Sequence, residues 1–318
     1  MNHCSQIFPK RSRKIETKFQ KKEEPMFLIE KLELQSFSPN EQEVVDFILK
    51  EGDNINDLSV GKIAEATFTS KSSLVRIAKK LGYSGWTDFK KAYLEELNYL
   101  RQQADAQDAN LPFSKSDHNL EIASKIAKLK KEAIDETLSL LKNKELNQAV
   151  AYMTASSTVH IFAASNNLHN AREFTHNMKR LQKDVQIHDL HGEVHFDALL
   201  AKEDSCAIII SYSGGTASLM KIAETLKKKR IPIIALTSLG ENPLQALADL
   251  TLRLSTKEKL YSKIGTYATD ASITYLLDIL YSIYFRQDYD ANLVFRQKTS
   301  QQVETERFAY SRITEEEE

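Results

Sequence analysis

A chain of 318 residues with a formal net charge of −1 is long enough for two domains with separate cores, and it is not a polycation that coats nucleic acid along its whole surface. Its two cysteines, Cys4 in a polar tail and Cys206 in an apolar run, exclude a disulfide-stapled secreted scaffold. No apolar stretch approaches the roughly 18–20 residues that span a bilayer and no signal-peptide pattern opens the chain, so the expected setting is the cytoplasm, with no membrane partner.

Residues 1–25 hold seven Lys/Arg against three Glu and few apolar positions. They cannot bury a core, and a disordered basic extension is expected. Patterned sequence starts directly after Met26, which reads as the natural start; the rival reading is a basic arm that touches DNA. Helical signals begin at Ser38, where Ser38-Pro39-Asn40-Glu41 supplies an N-cap, a proline at the first helical position and a capping-box glutamate. Val44, Val45, Ile48 and Leu49 form one apolar face, and Gly52 ends the helix. A second helix starts near Ser59 with Val60, Ile63 and Ala64 inward. After a short turn at Phe68 and Thr69, Ser70 caps a third helix whose Leu74, Ile77, Ala78 and Leu81 point inward. Gly82 stands where a left-handed stop belongs. A fourth helix carries Trp86, Phe89 and Tyr93.

Two short helices joined by a tight turn, over a third, predict an all-α helix-turn-helix domain at 26–100. Its third helix is locally basic. Thr67 to Thr87 holds Lys71, Arg76, Lys79 and Lys80 and no acid, whereas the preceding helices carry Glu41, Glu43, Asp46, Glu51, Asp53 and Asp57. Such a helix suits phosphate contact, with Ser70, Ser72 and Ser73 able to reach backbone oxygens at its N-terminal end. An ordinary solvated face is the alternative, and the helix-turn-helix spacing favours DNA.

Residues 101–118 are polar and read as a linker. Ala123, Ile126, Ala127, Leu129, Ile134, Leu138 and Leu141 mark a long amphipathic helix, followed by a shorter one over 144–154. Strands are expected at Thr158–Ala163, Val185–His188, Ser205–Ser211, Ile231–Thr237 and Leu250–Leu254, with helices between most of them. That alternation predicts a three-layer α/β domain with a doubly wound parallel sheet over 119–295, and a polar tail at 296–318. The last helix, Ala268–Phe285, is apolar around most of its circumference and is expected to be buried in the domain or against a second subunit.

The most informative stretch is Cys206–Thr216, Cys-Ala-Ile-Ile-Ile-Ser-Tyr-Ser-Gly-Gly-Thr. The uniformly apolar run reads as a strand buried on both faces. The loop that follows lies at the carboxyl end of a central strand, where open α/β sheets place ligands. Gly214 and Gly215 allow close backbone approach, Ser211, Ser213 and Thr216 offer hydroxyls, and the next helix adds free N–H groups. Together these make a cradle for a phosphate-sized anion.

Two stretches resemble known families. Ser211-Tyr-Ser213-Gly214-Gly-Thr216 is similar to the Ser-x-Ser-Gly-x-Thr signature of the SIS (sugar isomerase) domain. Thr69-Ser-Lys-Ser-Ser-Leu-Val-Arg-Ile-Ala-Lys-Lys-Leu-Gly-Tyr-Ser-Gly-Trp resembles the recognition helix and following turn of the RpiR/MurR family of bacterial transcription regulators, which join such a domain to a SIS domain. The resemblance spans about residues 28–295. It implies a regulator that is not an enzyme, has no cofactor, binds a double-stranded DNA operator and senses a phosphorylated sugar. A palindromic operator needs two recognition helices, so a homodimer or homotetramer is expected, with Ile273–Phe285 a candidate interface.

The first loop departs from the family's Gly-x-Gly-x-Ser: here stand Ala163, Ala164, Ser165, Asn166 and Asn167. The lost glycines disfavour a tight backbone approach, but Ser165, Asn166 and Asn167 can still bond a sugar or phosphate. By resemblance the region of Glu258 and Lys263 closes the sugar site; solvated loop charges are the alternative. The alternative function is a SIS-type sugar-phosphate isomerase or lyase, for which Glu258 or the His188, His191, His195 group would supply the base. Those histidines match no standard zinc spacing, and no metal is expected. His169 and His176, seven apart on one helix, read as exposed or interface residues.

Overall fold

The computed structural model describes residues 27–104, 107–190 and 192–303. The basic extension 1–25, the expected start at Met26, His191 and the end of the polar tail, 304–318, lie outside the described residues.

The N-terminal helices assemble where local capping and apolar spacing agree. In α2 (Pro39–Glu51) the Glu41 carboxylate accepts the Ser38 N–H at 3.1 Å, as the capping box predicts. Gly52, at φ 55, turns the chain into a short 3₁₀ segment, Gly52–Asp57. Ser59 Oγ accepts the Lys62 N–H at 3.2 Å at the head of α3 (Val60–Ala66). α4 (Lys71–Lys80) ends at Gly82, whose φ of 89 is the expected left-handed stop, and α5 (Trp86–Ala104) follows. Val44, Val45, Ile48, Ile55, Ile63, Leu74 and Ile77 form the core, closed by Trp86, Phe89 and Tyr93, whose rings follow one another at 5.2 and 6.0 Å. The Tyr93 hydroxyl donates to the Ile48 carbonyl at 3.1 Å, so this buried ring keeps its polar end satisfied.

One helix precedes the first expected one. α1 (Leu28–Leu34) buries Leu28 and Leu32. Its N-terminus is held by Glu96 of α5, which accepts the N–H groups of Leu28 and Ile29 at 2.7 and 2.8 Å.

The second half is an α/β domain. α6 (Asn119–Ser139) and α7 (Asn143–Ala155) lead into β1 (Thr158–Ala163), α8 (Asn167–Lys179), β2 (Asp184–His188), α9 (Val194–Leu200), β3 (Cys206–Ile210), α10 (Ala217–Lys228), β4 (Ile233–Ser238), α11 (Pro243–Leu247), β5 (Leu250–Leu254), α12 (Tyr267–Arg286) and α13 (Tyr289–Val303). The five strands pair in parallel in the order β2-β1-β3-β4-β5. Alternate side chains of each strand serve opposite layers. Val159, Ile161, Cys206, Ile208 and Ile210 pack on α7, α8 and α12. Phe162, Ala207, Ile209, Ile233 and Ala235 pack on α9, α10 and α11. All five residues of β3 are buried, as a central parallel strand requires.

The helices add two details to the expected pattern. On α6 the apolar positions Ala123, Ala127 and Leu138 are exposed, while Glu136 and Thr137 are buried. Glu136 is drawn inward because it accepts the Ser255 hydroxyl at 2.7 Å and the Thr256 N–H at 3.3 Å, with Lys257 Nζ at 3.7 Å. A buried carboxylate so partnered ties α6 to the end of β5. The expected polar tail also begins as helix, since α13 continues to Val303. α12 buries Ala268, Ile273, Leu276, Leu277 and Leu280 within its own domain, which accounts for much of its apolar circumference.

A chain of polar groups lies between β1, β2 and α9. His188 Nδ1 is 3.0 Å from Asp197, and His188 Nε2 is 2.9 Å from His160 Nδ1. A carboxylate only accepts, so His188 Nδ1 carries a proton, its Nε2 accepts, and His160 Nδ1 donates. Burial lowers both imidazoles, His160 to about 4. A histidine depressed in the folded state takes up its proton more readily in the unfolded chain. The stability it contributes is complete above pH 6.5 and is lost as pH falls from there toward 4. His160 alone should cost the fold about 2 kcal/mol between pH 7.5 and pH 5. In urea titrations, wild type should lose about that much of its advantage over His160→Gln across this range. An advantage that stays constant would contradict the assignment.

Candidate functional site

In this strand order the chain leaves β1 toward one edge of the sheet and β3 toward the other. Ligands of open α/β sheets bind at the crevice this reversal opens, at the carboxyl ends of the strands. The loops after β1 and β3 flank that crevice. The β3 loop is closely specified. Ser211 is buried, its N–H bonds Leu236 O at 3.0 Å, and its hydroxyl lies 3.2 Å from Thr216 Oγ1. Gly214 has φ 62 and its N–H bonds Ser211 O at 3.1 Å. Ser213 Oγ accepts the Gly215 N–H at 3.3 Å, which leaves its own hydrogen free to donate. Thr216 then opens α10 without a side-chain cap, and the N–H groups of Ala217 and Ser218 have no acceptor among the described residues. The helix dipole adds a partial positive charge at this point.

The loop is pinned from the next connection. A Cβ built at Gly214 would lie 2.1 Å from Asn242 Oδ1, and Leu244 N–H bonds Gly214 O at 2.9 Å. Only glycine satisfies both this contact and the positive φ. Beside Asn242, Glu241 forms an ion pair with Lys31 of α1, so one short connection touches both the β3 loop and the helical domain. A cleft of about 770 Å³ lies there, lined by Lys31, Leu34, Lys80, Asn242 and Pro243, away from the crevice of the sheet.

The β1 loop compensates for its missing glycines. Ser165 itself adopts φ 54. Asn166 donates to Thr266 Oγ1 and to both oxygens of Asp270 at 3.1 Å, which ties the loop to the start of α12 and occupies its amide. Asn167 begins α8, and Ser165 stays exposed. Glu258 is buried and its carboxylate is fully engaged. It accepts the N–H groups of Ala268 at 2.7 Å and Thr269 at 3.3 Å, the Thr269 hydroxyl at 2.7 Å and Lys263 Nζ at 3.1 Å. Glu258 therefore anchors the first turn of α12. Lys263 also lies over the Tyr212 ring, 5.4 Å from its centre, and the Tyr212 hydroxyl donates to Glu258 O at 2.7 Å. Burial pushes that phenol well above its ordinary range, so it stays protonated. The β3 loop and the β5–α12 connection are thus one bonded unit. Asp270 and Tyr212 are the members that sequence reasoning missed; Tyr212, inside the Ser-x-Ser pattern, was the one in plain view.

α4 carries a second surface. Leu74, Ile77 and Ala78 face the core, and Lys71, Ser72, Val75, Arg76 and Lys79 face solvent. Ser70 Oγ lies 2.7 Å from Ser72 Oγ and 3.1 Å from Ser73 Oγ, and Ser73 is buried. The four expected cations differ. Lys79 has no partner among the described residues. The stem of Lys71 lies over Gly61. Arg76 donates to Ser73 Oγ at 3.0 Å and pairs with Glu41 at 3.6 Å. Lys80 is turned back onto its own domain: it donates to Ser36 O at 2.6 Å, stands 4.7 Å over the Phe37 ring and lies 3.8 Å from Glu41. Glu41, held below the usual carboxylate range first by the Ser38 N–H, balances both.

Among the described residues no group of three or more possible metal ligands occurs, and His191 lies outside them. His188 is occupied by His160 and Asp197, and His195 is exposed. His169 is exposed on α8. No helix of the described residues is long and apolar enough to cross a membrane.

Comparison with known proteins places both halves. The helix-turn-helix domain of the rpiR family matches residues 27–99, and the SIS domain matches residues 152–278. An uncharacterized HTH-type transcriptional regulator of Caldanaerobacter subterraneus, TTE0211, is 26% identical over 267 residues, 84% of this chain and 92% of that one. The Vibrio vulnificus NanR protein, solved in complex with ManNAc-6P, superposes with a TM-score of 0.55 at 20% identity, over 88% of this chain and 99% of that one. The sugar isomerase domain of an RpiR transcription factor from Sphaerobacter thermophilus gives 0.50 at 13% identity, over 56% and 98%. At these identities the two structures establish the fold alone.

The unequal cations of α4 generate a test. In filter-binding titrations on duplex DNA across a salt series, Lys79→Ala should lower the slope of log affinity against log salt by about 0.9, one phosphate contact. Lys80→Ala should leave the slope nearly unchanged and lower thermal stability instead. Equal slope losses in the two variants would contradict the division.

Proposed function

We propose that this chain, which belongs to the RpiR family by its rpiR-type helix-turn-helix domain and its SIS domain, binds a phosphorylated sugar in the SIS domain and thereby alters its binding to a DNA operator. The observation that carries the proposal is the β3 loop: Ser211, Ser213 and Thr216 with the unbonded N–H groups of Ala217 and Ser218, at the switch point of the sheet. Gly215 keeps the approach open, and Gly214 gives the loop the shape that Asn242 packs against. Ser165 and Asn167 border the same crevice for the sugar, with Asn166, Glu258 and Lys263 holding the loops that form it. NanR, with its ManNAc-6P, supports a sugar phosphate as the ligand class.

A regulator fits this geometry better than an isomerase. An isomerase needs a base with a free lone pair beside the substrate. Glu258 already accepts four hydrogen bonds, and His188 is bonded on both nitrogens. The α4 face, with Ser70, Lys71, Ser72, Arg76 and Lys79, serves the DNA backbone, and Ser73 and Lys80 set the position of that helix. One chain presents one such face, so a palindromic operator calls for a homodimer or homotetramer. Ligand and DNA communicate through the connection after β4, where Asn242 covers Gly214 and Glu241 pairs with Lys31. An exposed ion pair contributes about 0–1 kcal/mol, so this link is easily broken or remade when the loop shifts.

The experiment is a thermal-shift screen of the full chain with phosphorylated sugars, their unphosphorylated parents and inorganic phosphate. Ligand that binds only the folded state raises the melting temperature by mass action. A phosphorylated sugar, and not its parent, should do so. Ser213→Ala, which loses one charge-assisted hydrogen bond, should need about ten- to a hundredfold more of it for the same shift. Turnover of the hit would overturn the regulator reading, and an unchanged response in Ser213→Ala would move the phosphate elsewhere.

A further inference from the structure

Two large apolar side chains are exposed at and just before α4. Phe68, in the turn before α4, is 98% exposed and adopts φ 51. A left-handed conformation is sterically costly for a residue with a Cβ, and an aromatic ring in water gains nothing from burial to offset it. The turn itself is closed by backbone bonds, Phe68 N–H to Glu65 O at 3.2 Å and Thr69 N–H to Ala64 O at 2.8 Å, and neither needs the ring. Val75 is the second, 36% exposed at the middle of the solvent face of α4. On α4 the spacing sets Lys71, Ser72, Arg76 and Lys79 beside Val75, Phe68 and Ser70 lie where the chain enters the helix, and Thr67 to Thr87 holds no acid, the carboxylate beside Arg76 being Glu41 of α2. A protein partner would have to match a basic, hydroxyl-rich rim to an apolar centre; duplex DNA does so directly. Its phosphates meet the rim. In the major groove the one apolar group on a base edge is the thymine C5-methyl, and the groove admits an α-helix led by its N-terminal end.

We infer that Phe68 and Val75 read thymine methyl groups in the major groove and so set sequence preference, while the cations around them supply affinity. The inference rests on the DNA-binding reading above and adds to it the base that is read and the residues that read it. Positive φ and full exposure at Phe68 belong to function, as strain held at a recognition surface often does.

Full-length protein would first select its preferred sites from a random duplex pool. Each thymine of the enriched site is then replaced singly by uracil, which removes the methyl and leaves every hydrogen-bonding group in place. Wild type should lose about three- to tenfold in affinity at one or two positions of each half-site, the size of one buried methyl contact. Phe68→Ala and Val75→Ala should each lose a similar factor on the thymine site and then become indifferent to uracil at their own position, with non-specific affinity and salt slope unchanged. Phe68→Gly guards against a folding artefact: it should melt no lower than wild type and still lose the methyl preference. Uracil sites bound as tightly as thymine sites by wild type, or a uracil penalty that persists in both Ala variants, would overturn the inference and leave the DNA-binding reading standing. A pool in which no sequence is enriched would overturn both.

Discussion

The contact between Asn242 and Gly214 is the constraint on which the rest of the molecule turns. Gly214 sits at φ 62 beneath the Asn242 side chain, with no space for a Cβ. That approach fixes the β3 loop with the Ser213 hydroxyl hydrogen free and the first turn of α10 uncapped, which is the state a phosphate needs. The same approach fixes the connection after β4. Asn242 caps α11 by accepting the Gln245 N–H at 3.1 Å, and Glu241 is held where Lys31 reaches it. The proposed anion site and the contact with the helical domain therefore share one short piece of chain.

The interactions on either side of that contact differ in strength. Behind the site, Glu258, Thr269, Tyr212 and Lys263 form a buried network whose groups satisfy one another, and such networks are rigid. Between the domains stands an exposed ion pair beside a large cleft. On the proposed reading, the rigid walls would hold the ligand and the weak link would let its binding be felt elsewhere. On α4 the same contrast recurs: Lys80 and, in part, Arg76 are committed to Glu41, Ser36 and Ser73, while Lys79 has no partner among the described residues.

What the sequence revealed follows from where the determinants lie. The capping box at Ser38, the stop at Gly82, the aromatic spacing of α5, and a strand at each expected stretch rest on neighbours within a few residues, and local pattern shows them. The first part of the chain concealed α1, because its cap is Glu96, more than sixty residues away. Glu136 reads as a solvent residue until Ser255 and Thr256 arrive from β5 to bond it. Asn166 was legible as a polar loop residue, but its partner Asp270 is a hundred residues on. The β3 loop was legible almost whole, since its hydroxyls, glycines and helix start are contiguous. The hold that Asn242 has on it was not, and neither was the positive φ of Ser165 and Phe68, which no local rule for those residue types anticipates.

Reciprocal linkage tests the central claim most directly. If one connection joins the two sites, operator DNA must change sugar-phosphate affinity by the same factor by which the sugar phosphate changes operator affinity. Calorimetric titration of ligand with and without a selected operator, beside operator titration with and without ligand, measures both factors. The account predicts equal factors that differ from one in wild type and fall toward one together in Glu241→Ala, while ligand affinity without DNA stays at its wild-type value. Wild-type factors of one would contradict it, as would coupling undiminished in Glu241→Ala.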